Sequence, residues 1–295
     1  MAMLKAYLGV ARAPFLLLPV TLVAAGAAAA AHGGEFSWPR TLLALAGLVA
    51  AHVGVNVLNE VSDMKTGIDL RTDRTPFSGG SGTLPGHDMS VRTATVFGLG
   101  ACGAALVIGI WFVTRVGWLL VPVMALGAVA ILFYTDVFAR AGVGETFAGL
   151  GLGALPVWGT ALVQGGTPGA AAVAAAVPAF LMTFNLLLLN EFPDEEADRS
   201  GGRRNLVLLF GRRAAAAVYA AAALATPVVI GVAVALRVLP AAALVAVAPS
   251  LLLVAPLRWA LGAPEGPVPI PALAANVAWN LATNAVLAAA LAFAA

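Results

Sequence analysis

Residues 41–74 read TLLALAGLVAAHVGVNVLNEVSDMKTGIDLRTDR. Positions 41–59 hold no acidic residue, no lysine and no arginine. A bilayer core is crossed by a helix of about 20 mostly apolar residues, because lipid offers no partner to free backbone N–H and C=O groups. The next stretch, 60–74, packs in Glu60, Asp63, Lys65, Asp69, Arg71, Asp73 and Arg74. A membrane-crossing helix therefore opens directly onto a dense polar cluster. That junction sets the fold class and points to where chemistry happens.

The pattern recurs along the chain. Nine segments approach the length of a span: about 10–31, 41–59, 91–113, 117–134, 145–164, 169–190, 214–236, 239–257 and 272–294. The expectation is an all-α polytopic membrane protein, a bundle of about nine transmembrane helices forming one domain over 1–295. Composition agrees: 61% of residues are hydrophobic and 10% charged, against about 25% charged in a soluble domain. So few charges cannot clothe a water-facing surface. The formal charge of +2 gives no basic footprint for nucleic acid. The single cysteine, Cys102, lies in an apolar run, forms no intrachain disulfide and reads as packing. The apolar run 15–31 follows Lys5 and Arg12 and is read as a first span, not a cleaved leader. Pro122, Pro156, Pro178, Pro227 and Pro249 fall inside spans, where helix bundles tolerate kinks.

With the N-terminus inside and nine crossings, 13 of the 16 basic residues fall on the cytoplasmic side; only Arg40, Arg115 and Arg237 fall outside. The positive-inside rule predicts this asymmetry and places the protein in the cell membrane with a cytoplasmic N-terminus. Of 14 acidic residues, only Glu35 lies outside. Acidic residues barely influence orientation, so their gathering on one face requires another cause, a binding site. The two halves, about 1–140 and 141–295, echo each other. Asn59-Glu60 followed by Asp63 returns as Asn190-Glu191 followed by Asp194.

Asn59 and Asp63 are spaced i, i+4 and share a helix face; Asp69 follows the turn at Gly67. Asp194 and Asp198 repeat the spacing, and Pro193 is placed to begin a fresh helical segment. Hard carboxylate oxygens at the mouth of a bundle suit Mg²⁺, which takes one or two carboxylates, waters and substrate phosphates. Lys65, Arg71, Arg74, Arg203 and Arg204 surround the clusters with positive charge. The loop Thr75–Gly82, with Ser78 and Ser81, offers backbone N–H groups able to cradle an anion. Asn56 and Asn190 flank the clusters as further polar contacts. Tyr134 and Glu145 lie on the same face; Tyr134 is a candidate to orient a substrate and Glu145 a candidate general base, with an interfacial tyrosine and a helix-start glutamate as the plainer alternatives. His52 lies one turn before Asn56, either hydrogen-bonded in the bundle or facing a ligand.

These residues resemble the UbiA superfamily of membrane prenyltransferases. Asn59-x3-Asp63-x5-Asp69 looks like the first Asp-rich motif of its menaquinone-forming branch, and Asp194-x3-Asp198 like the second. Gly202-Arg203-Arg204-Asn205-Leu206 resembles the stretch that usually carries Gly-Lys, with Arg203 in place of lysine. The run from Tyr134 through Glu145 to Gln164 also resembles the naphthoate branch. The resemblance implies Mg²⁺ held by Asn59, Asp63, Asp69, Asp194 and Asp198, a polyprenyl diphosphate donor, and an aromatic acceptor, 1,4-dihydroxy-2-naphthoate. It implies Asp63, Asp69, Asp194, Asp198, Glu145 and Tyr134 as catalytic groups. Asn56, Asn59, Lys65, Arg71, Arg74, Ser78, Ser81, Asn190, Arg203 and Arg204 would bind substrate. Other acceptors (4-hydroxybenzoate, homogentisate, a lipid alcohol) and a secondary transporter stand as alternatives. A transporter places charges at mid-span, whereas here they sit at span ends. No protein partner is evident; the bilayer is the partner that the composition demands.

Overall fold

The computed structural model describes residues 2–295. Among them, nine helices are long and apolar enough to cross a membrane: α1 (Ala13–His32), α2 (Trp38–Thr66), α3 (Val91–Val116), α4 (Leu120–Ala141), α5 (Gly144–Gly165), α6 (Ala170–Glu191), α7 (Arg212–Ala235), α8 (Ala241–Gly262) and α9 (Ile270–Phe293). The expected count and order of spans hold. α2 runs about two turns past the predicted end, because Asn59 through Lys65 continue the helix until Gly67 terminates it in a left-handed conformation (φ 79°).

The helices differ in how much they are covered. In α5 and α6, 56% of the apolar window is buried, against 11% in α3. α5 and α6 are therefore central, and α3 lies at the rim, exposing Val96, Leu99, Leu106, Val107 and Ile110 to lipid. Small residues set the approach of the central helices. A Cβ on Gly153 of α5 would lie 2.5 Å from the Ala179 carbonyl oxygen of α6 and 3.0 Å from Thr183 Oγ1. With no hydrophobic gain to be had between helices in lipid, such close packing and interhelical hydrogen bonds hold the bundle. A buried polar clasp joins three spans: Tyr219 OH donates to Asn276 Oδ1 (3.0 Å), Asn276 Nδ2 to the Asn185 carbonyl (3.2 Å), and Asn185 Nδ2 to the Tyr219 carbonyl (3.0 Å).

Each face is tied separately. At the end of the bundle where α2 begins, Gln164 accepts from Ser37 N–H (2.8 Å) and donates to Thr41 Oγ1 (3.1 Å), capping α2. At the opposite end Arg212 reaches the carbonyls of Pro264 (2.8 Å) and Gly266 (2.7 Å) and pairs with Glu195 (2.9 Å). Two spans contain π-helical segments, Tyr134–Phe138 in α4 and Leu150–Ala154 in α5. Such segments widen the helix by one residue per turn and concentrate at functional sites.

Gly153→Val is expected to overpack the α5–α6 contact at a cost of about 1–3 kcal/mol. Thermal unfolding of the detergent-solubilised protein measures it as a lowered Tm; an unchanged Tm would show that the two helices slide apart freely.

Candidate active site

The predicted site residues fall in the last turns of α2, α4 and α6, at the start of α5, and in the segments that follow α2 and α6. The helix that carries Asn59 and Asp63 delivers them side by side: Asn59 Nδ2 donates to Asp63 Oδ2 at 3.1 Å. After Glu191 the chain turns and resumes as a short helix, Glu195–Ser200. That helix begins two residues later than the Pro193 expectation, because Asp194 takes the N-cap position. Asp198 lies on it, 1% exposed.

Arg203 joins the two motifs. It pairs with Asp63 of the first and, at 3.1 Å, with Asp198 Oδ1 of the second. Asn205 Nδ2 adds a bond to Asp198 Oδ2 (2.9 Å), while its own Oδ1 caps the next helical turn at Leu208 N–H (3.0 Å). Burial opposes the charge on Arg203, and Asp63 and Asp198 more than reverse that, so the guanidinium is held charged more firmly than a free arginine.

The Thr75–Gly82 loop differs from its expected role. Its N–H groups do cradle anions, but the anions are the protein's own carboxylates. Gly79 N–H donates to Asp194 Oδ2 (3.1 Å), and Thr72 Oγ1 to Asp194 Oδ1 (2.8 Å). Ser81 gives its N–H and hydroxyl to Glu60 (2.6 Å each). Glu60 is fully buried and also accepts from Arg12 Nε at 2.8 Å. Thus Glu60 anchors the loop and the N-terminal segment. Positive φ at Gly79 and Gly80 (80° and 73°) permits this path, and a Cβ on Gly80 would lie 2.7 Å from Asp69 Oδ1. The loop therefore lies directly over Asp69.

Several candidates have committed partners. Asn56 donates to the Ala11 carbonyl (3.0 Å), Arg74 to the Asp69 carbonyl (2.7 Å), and the Ser78 hydroxyl bonds Thr75 Oγ1 (2.9 Å). These hold the loop and terminus in place. Lys65, Arg71 and Arg204 are exposed at the rim. Asn190 Oδ1 is buried with no partner, as is Asp69 Oδ2. Tyr134 opens the α4 π segment, near enough to Glu191, Arg203, Glu145 and Asp198 to feel their charge. Glu145, 1% exposed, accepts from Leu206 N–H at 2.6 Å.

The carboxylates feel one another. Burial, with Asp63 and Glu60 nearby, pushes Asp69 up to about 7. Burial also pushes Asp198 up to about 7, with Asp194 and Asp63 adding to it and Arg203 opposing. Burial raises Asp194 as well, against the bonds from Thr72 and Gly79. Such a site gains from added positive charge. Among the described residues, no three Asp, Glu, His or Cys side chains converge as a ready-made metal cage. The set Asn59, Asp63, Asp69, Asp194 and Asp198 instead forms two facing acidic edges with Arg203 between them.

Deeper in the membrane, α2, α3, α4 and α5 enclose an apolar cavity of about 340 Å³, lined by Leu48, His52, Ile108, Phe112, Met124 and Leu155 among others. His52 donates Nδ1–H to the Leu48 carbonyl (3.0 Å), leaving Nε2 without a partner. Sequence reading left Glu60, Arg12, Thr72 and Glu191 unassigned. The only signal for Glu60 and Glu191 was their shared place in the repeated Asn-Glu pairs.

Residues 17–279 match the model of the UbiA prenyltransferase family. A curated relative, the 1,4-dihydroxy-2-naphthoate octaprenyltransferase of Bacillus subtilis (strain 168), is 25% identical over 160 residues, 53% of this chain and 50% of that protein. The match thus spans about half the length of that relative. Solved structures share the fold. A UbiA homolog from Archaeoglobus fulgidus bound to DMAPP and Mg²⁺ superposes with a TM-score of 0.64 at 15% identity, covering 96% of this chain and 99% of that one. The apo UbiA homolog from Aeropyrum pernix K1 gives 0.68 at 17%, covering 94% and 96%. A structure concerning digeranylgeranylglyceryl phosphate synthase gives 0.67 at 16%, covering 100% and 99%. With its nine spans, paired acidic motifs and family match over most of its length, the chain belongs to the UbiA prenyltransferase family.

Proposed function

We propose that the chain is a membrane-embedded, Mg²⁺-dependent prenyltransferase. It moves a polyprenyl group from an allylic diphosphate to an aromatic acceptor, 1,4-dihydroxy-2-naphthoate in menaquinone biosynthesis, on the cytoplasmic side of the cell membrane. One observation carries this reading: two acidic motifs from opposite halves of the chain meet across a single arginine, and an apolar cavity lies deeper among α2, α3, α4 and α5. A charged headgroup and a long apolar tail fit that division. The Archaeoglobus fulgidus homolog, bound to DMAPP and Mg²⁺, supports the donor class and the metal. The Bacillus subtilis relative supports the acceptor.

The donor set fits Mg²⁺: carboxylate and amide oxygens only, with one buried carboxylate oxygen, Asp69 Oδ2, lacking any partner. Asn59, Asp63, Asp69, Asp194 and Asp198 would hold the metal together with diphosphate oxygens. When bound, it would supply positive charge that stabilises the departing diphosphate. Arg203 adds a fixed positive charge at the same place. Lys65, Arg71 and Arg204 at the rim draw the anionic donor in, and Arg74 steadies the loop over Asp69. The apolar helices below exclude water from the allylic cation, so that an electron-rich ring captures it in preference to hydroxide. Tyr134 orients the acceptor, and Glu145 takes a proton from it.

The direct test is prenyl transfer by the purified chain in nanodiscs. It would receive Mg²⁺, geranylgeranyl diphosphate and, separately, 1,4-dihydroxy-2-naphthoate, 4-hydroxybenzoate and homogentisate. Metal-dependent product with the naphthoate is expected; product with another acceptor alone would move the chain to a different branch. Asp63→Ala and Asp194→Ala are each expected to lower kcat/KM by about a hundredfold or more.

A pH series gives an independent check. Asp69 and Asp198 titrate near 7 without metal, so protons compete with Mg²⁺ below that pH. Titration calorimetry is expected to show Mg²⁺–diphosphate affinity falling as pH drops from 8 to 6, with protons released on binding. A pH-independent affinity would remove these two carboxylates from the metal site. The sign for stability is the reverse. Raised carboxylates bind more protons folded than unfolded, so the metal-free protein is expected to lose stability as pH climbs from about 4 to 7. Melting curves without Mg²⁺ read this out.

A further inference from the structure

Ahead of the nine spans lies a short helix, Ala2–Val10. It is apolar on two sides. Ala6 and Val10 are buried and pack with Val57 and Val61 of α2, Ala94 of α3, and Leu84 and Met89 of the segment between them. Met3, Leu4 and Leu8 are turned outward, 74%, 63% and 49% exposed. At 3.6 residues per turn these three cover about 140° of the helix surface, and exposed Lys5 stands at the edge of that arc. The helix lies against the last turns of α2 and the first turns of α3, the level at which apolar spans give way to polar segments. Tyr7 meets Phe97 of α3 edge to face, with ring centroids 4.9 Å apart. Val96 and Leu99 beside Phe97 belong to the lipid-exposed rim of α3. The outer arc of the short helix therefore continues the lipid-facing belt. An apolar arc with a cationic margin, at the height where a bilayer turns polar, is the pattern of a helix that lies in the membrane surface.

The inner side of the same helix is tied to the loop over Asp69. Gly9 passes so close to the loop that a Cβ there would collide with Thr83 Oγ1. Thr83 N–H donates to Ser81 Oγ (3.1 Å), and the Ser81 hydroxyl donates to Glu60 (2.6 Å). Arg12, two residues past the end of the helix, reaches that carboxylate at 2.8 Å. The Ala11 carbonyl between them accepts from Asn56 Nδ2 (3.0 Å). Arg12 holds a left-handed backbone (φ 51°), which costs a non-glycine residue energy and persists only where its surroundings enforce it. From Ser81 the chain runs back through Gly80 above Asp69 to Gly79, whose N–H donates to Asp194.

We propose that the helix Ala2–Val10 is an in-plane membrane anchor: Met3, Leu4 and Leu8 dock in the phospholipid interface, and Gly9 and Arg12 pass that docking on to the loop over Asp69. Lipid fixes the helix, the helix fixes Ser81 and Thr83, and the loop keeps its place between Asp69 and Asp194. Arg12 is a positioning residue, acting through Glu60 and Ser81. The proposal adds the lipid surface as a partner of the donor site, and it rests on the prenyl-transfer reading only for its effect on turnover.

The test uses the full chain in phosphatidylcholine nanodiscs, with Cys102→Ala as background for labelling. Nitroxides on Leu4→Cys, Leu8→Cys and Lys5→Cys are read by power-saturation EPR against oxygen, which enters lipid, and a nickel chelate, which stays in water. The labels at 4 and 8 are expected to be open to oxygen and closed to nickel, and the label at 5 to be more open to nickel. Nickel access at 4 and 8 would overturn the anchor. Closure to both agents would overturn it too, and would show a second copy or another protein segment over the arc. Coupling is read by hydrogen exchange of the amides of residues 75–84. Leu4→Glu with Leu8→Glu, and separately Arg12→Gln, are each expected to speed that exchange about tenfold. KM for geranylgeranyl diphosphate should rise about fivefold in both, with kcat within about twofold of wild type. The melting temperature should hold in the leucine variant, because both side chains are exposed, and Arg12→Gln should leave the label depths unchanged. Exchange of the loop unaltered in both variants would sink the coupling. Label depth and exchange need no substrate, so a wild type without transfer activity would bring down the reaction and leave these two readings to decide the anchor.

Discussion

The ion pairs of Arg203 with Asp63 and Asp198 are the constraint on which the site depends. Carboxylates at the mouth of a bundle repel one another, and burial raises the cost of each charge. Without a cation between them the ends of α2 and α6 would be driven apart. Arg203 is carried on the short stretch after α6, yet its two partners come from opposite halves of the chain. It holds together motifs that are about 130 residues apart in sequence. The site is therefore assembled by an electrostatic need that no single helix could satisfy. Burial and the same crowding of carboxyl groups hold Asp69 and Asp198 well above the usual carboxylate range.

Around that centre the loop over 75–82 serves as a lattice of donors. Glu60 draws Arg12 and Ser81 inward, and Asp194 draws Thr72 and Gly79. One loop thereby touches both acidic motifs and roofs Asp69. Positions that look like substrate ligands, Asn56 and Ser78 among them, contribute by keeping this roof in place. Site residues divide into those with a polar atom left unpartnered, such as Asp69 and Asn190, and those committed to the backbone or the loop, and spacing along the chain does not distinguish them.

The spans were legible because lipid imposes a simple rule: every backbone group must be satisfied within the helix, so long apolar runs become helices. The orientation expected from Arg and Lys placement follows from an equally simple bias. The paired motifs were legible because i, i+4 spacing fixes a shared face. What the sequence concealed were pairings across the chain. Glu60 with Ser81, and Asp63 with Arg203, depend on how helix ends and loops meet, and periodicity says nothing about that. The π segments were also hidden, since Tyr134–Phe138 carries no breaker or composition that separates it from ordinary helix.

Those π segments separate two properties that an α-helix couples. In a regular helix the position of a residue along the axis dictates its direction. An extra residue in one turn shifts everything beyond it by about 100° at nearly constant height. In α4 and α5 the ends beside the acidic motifs can therefore aim Tyr134 and Glu145 at the site while the remaining turns keep the cavity wall apolar. A single insertion or deletion in either segment would rotate one end of a span against the other. The wall of the apolar cavity, which the α5 segment borders at Gly151 and Leu152, would be re-shaped that way without repacking the bundle, a change that point substitution in a rigid helix does not offer.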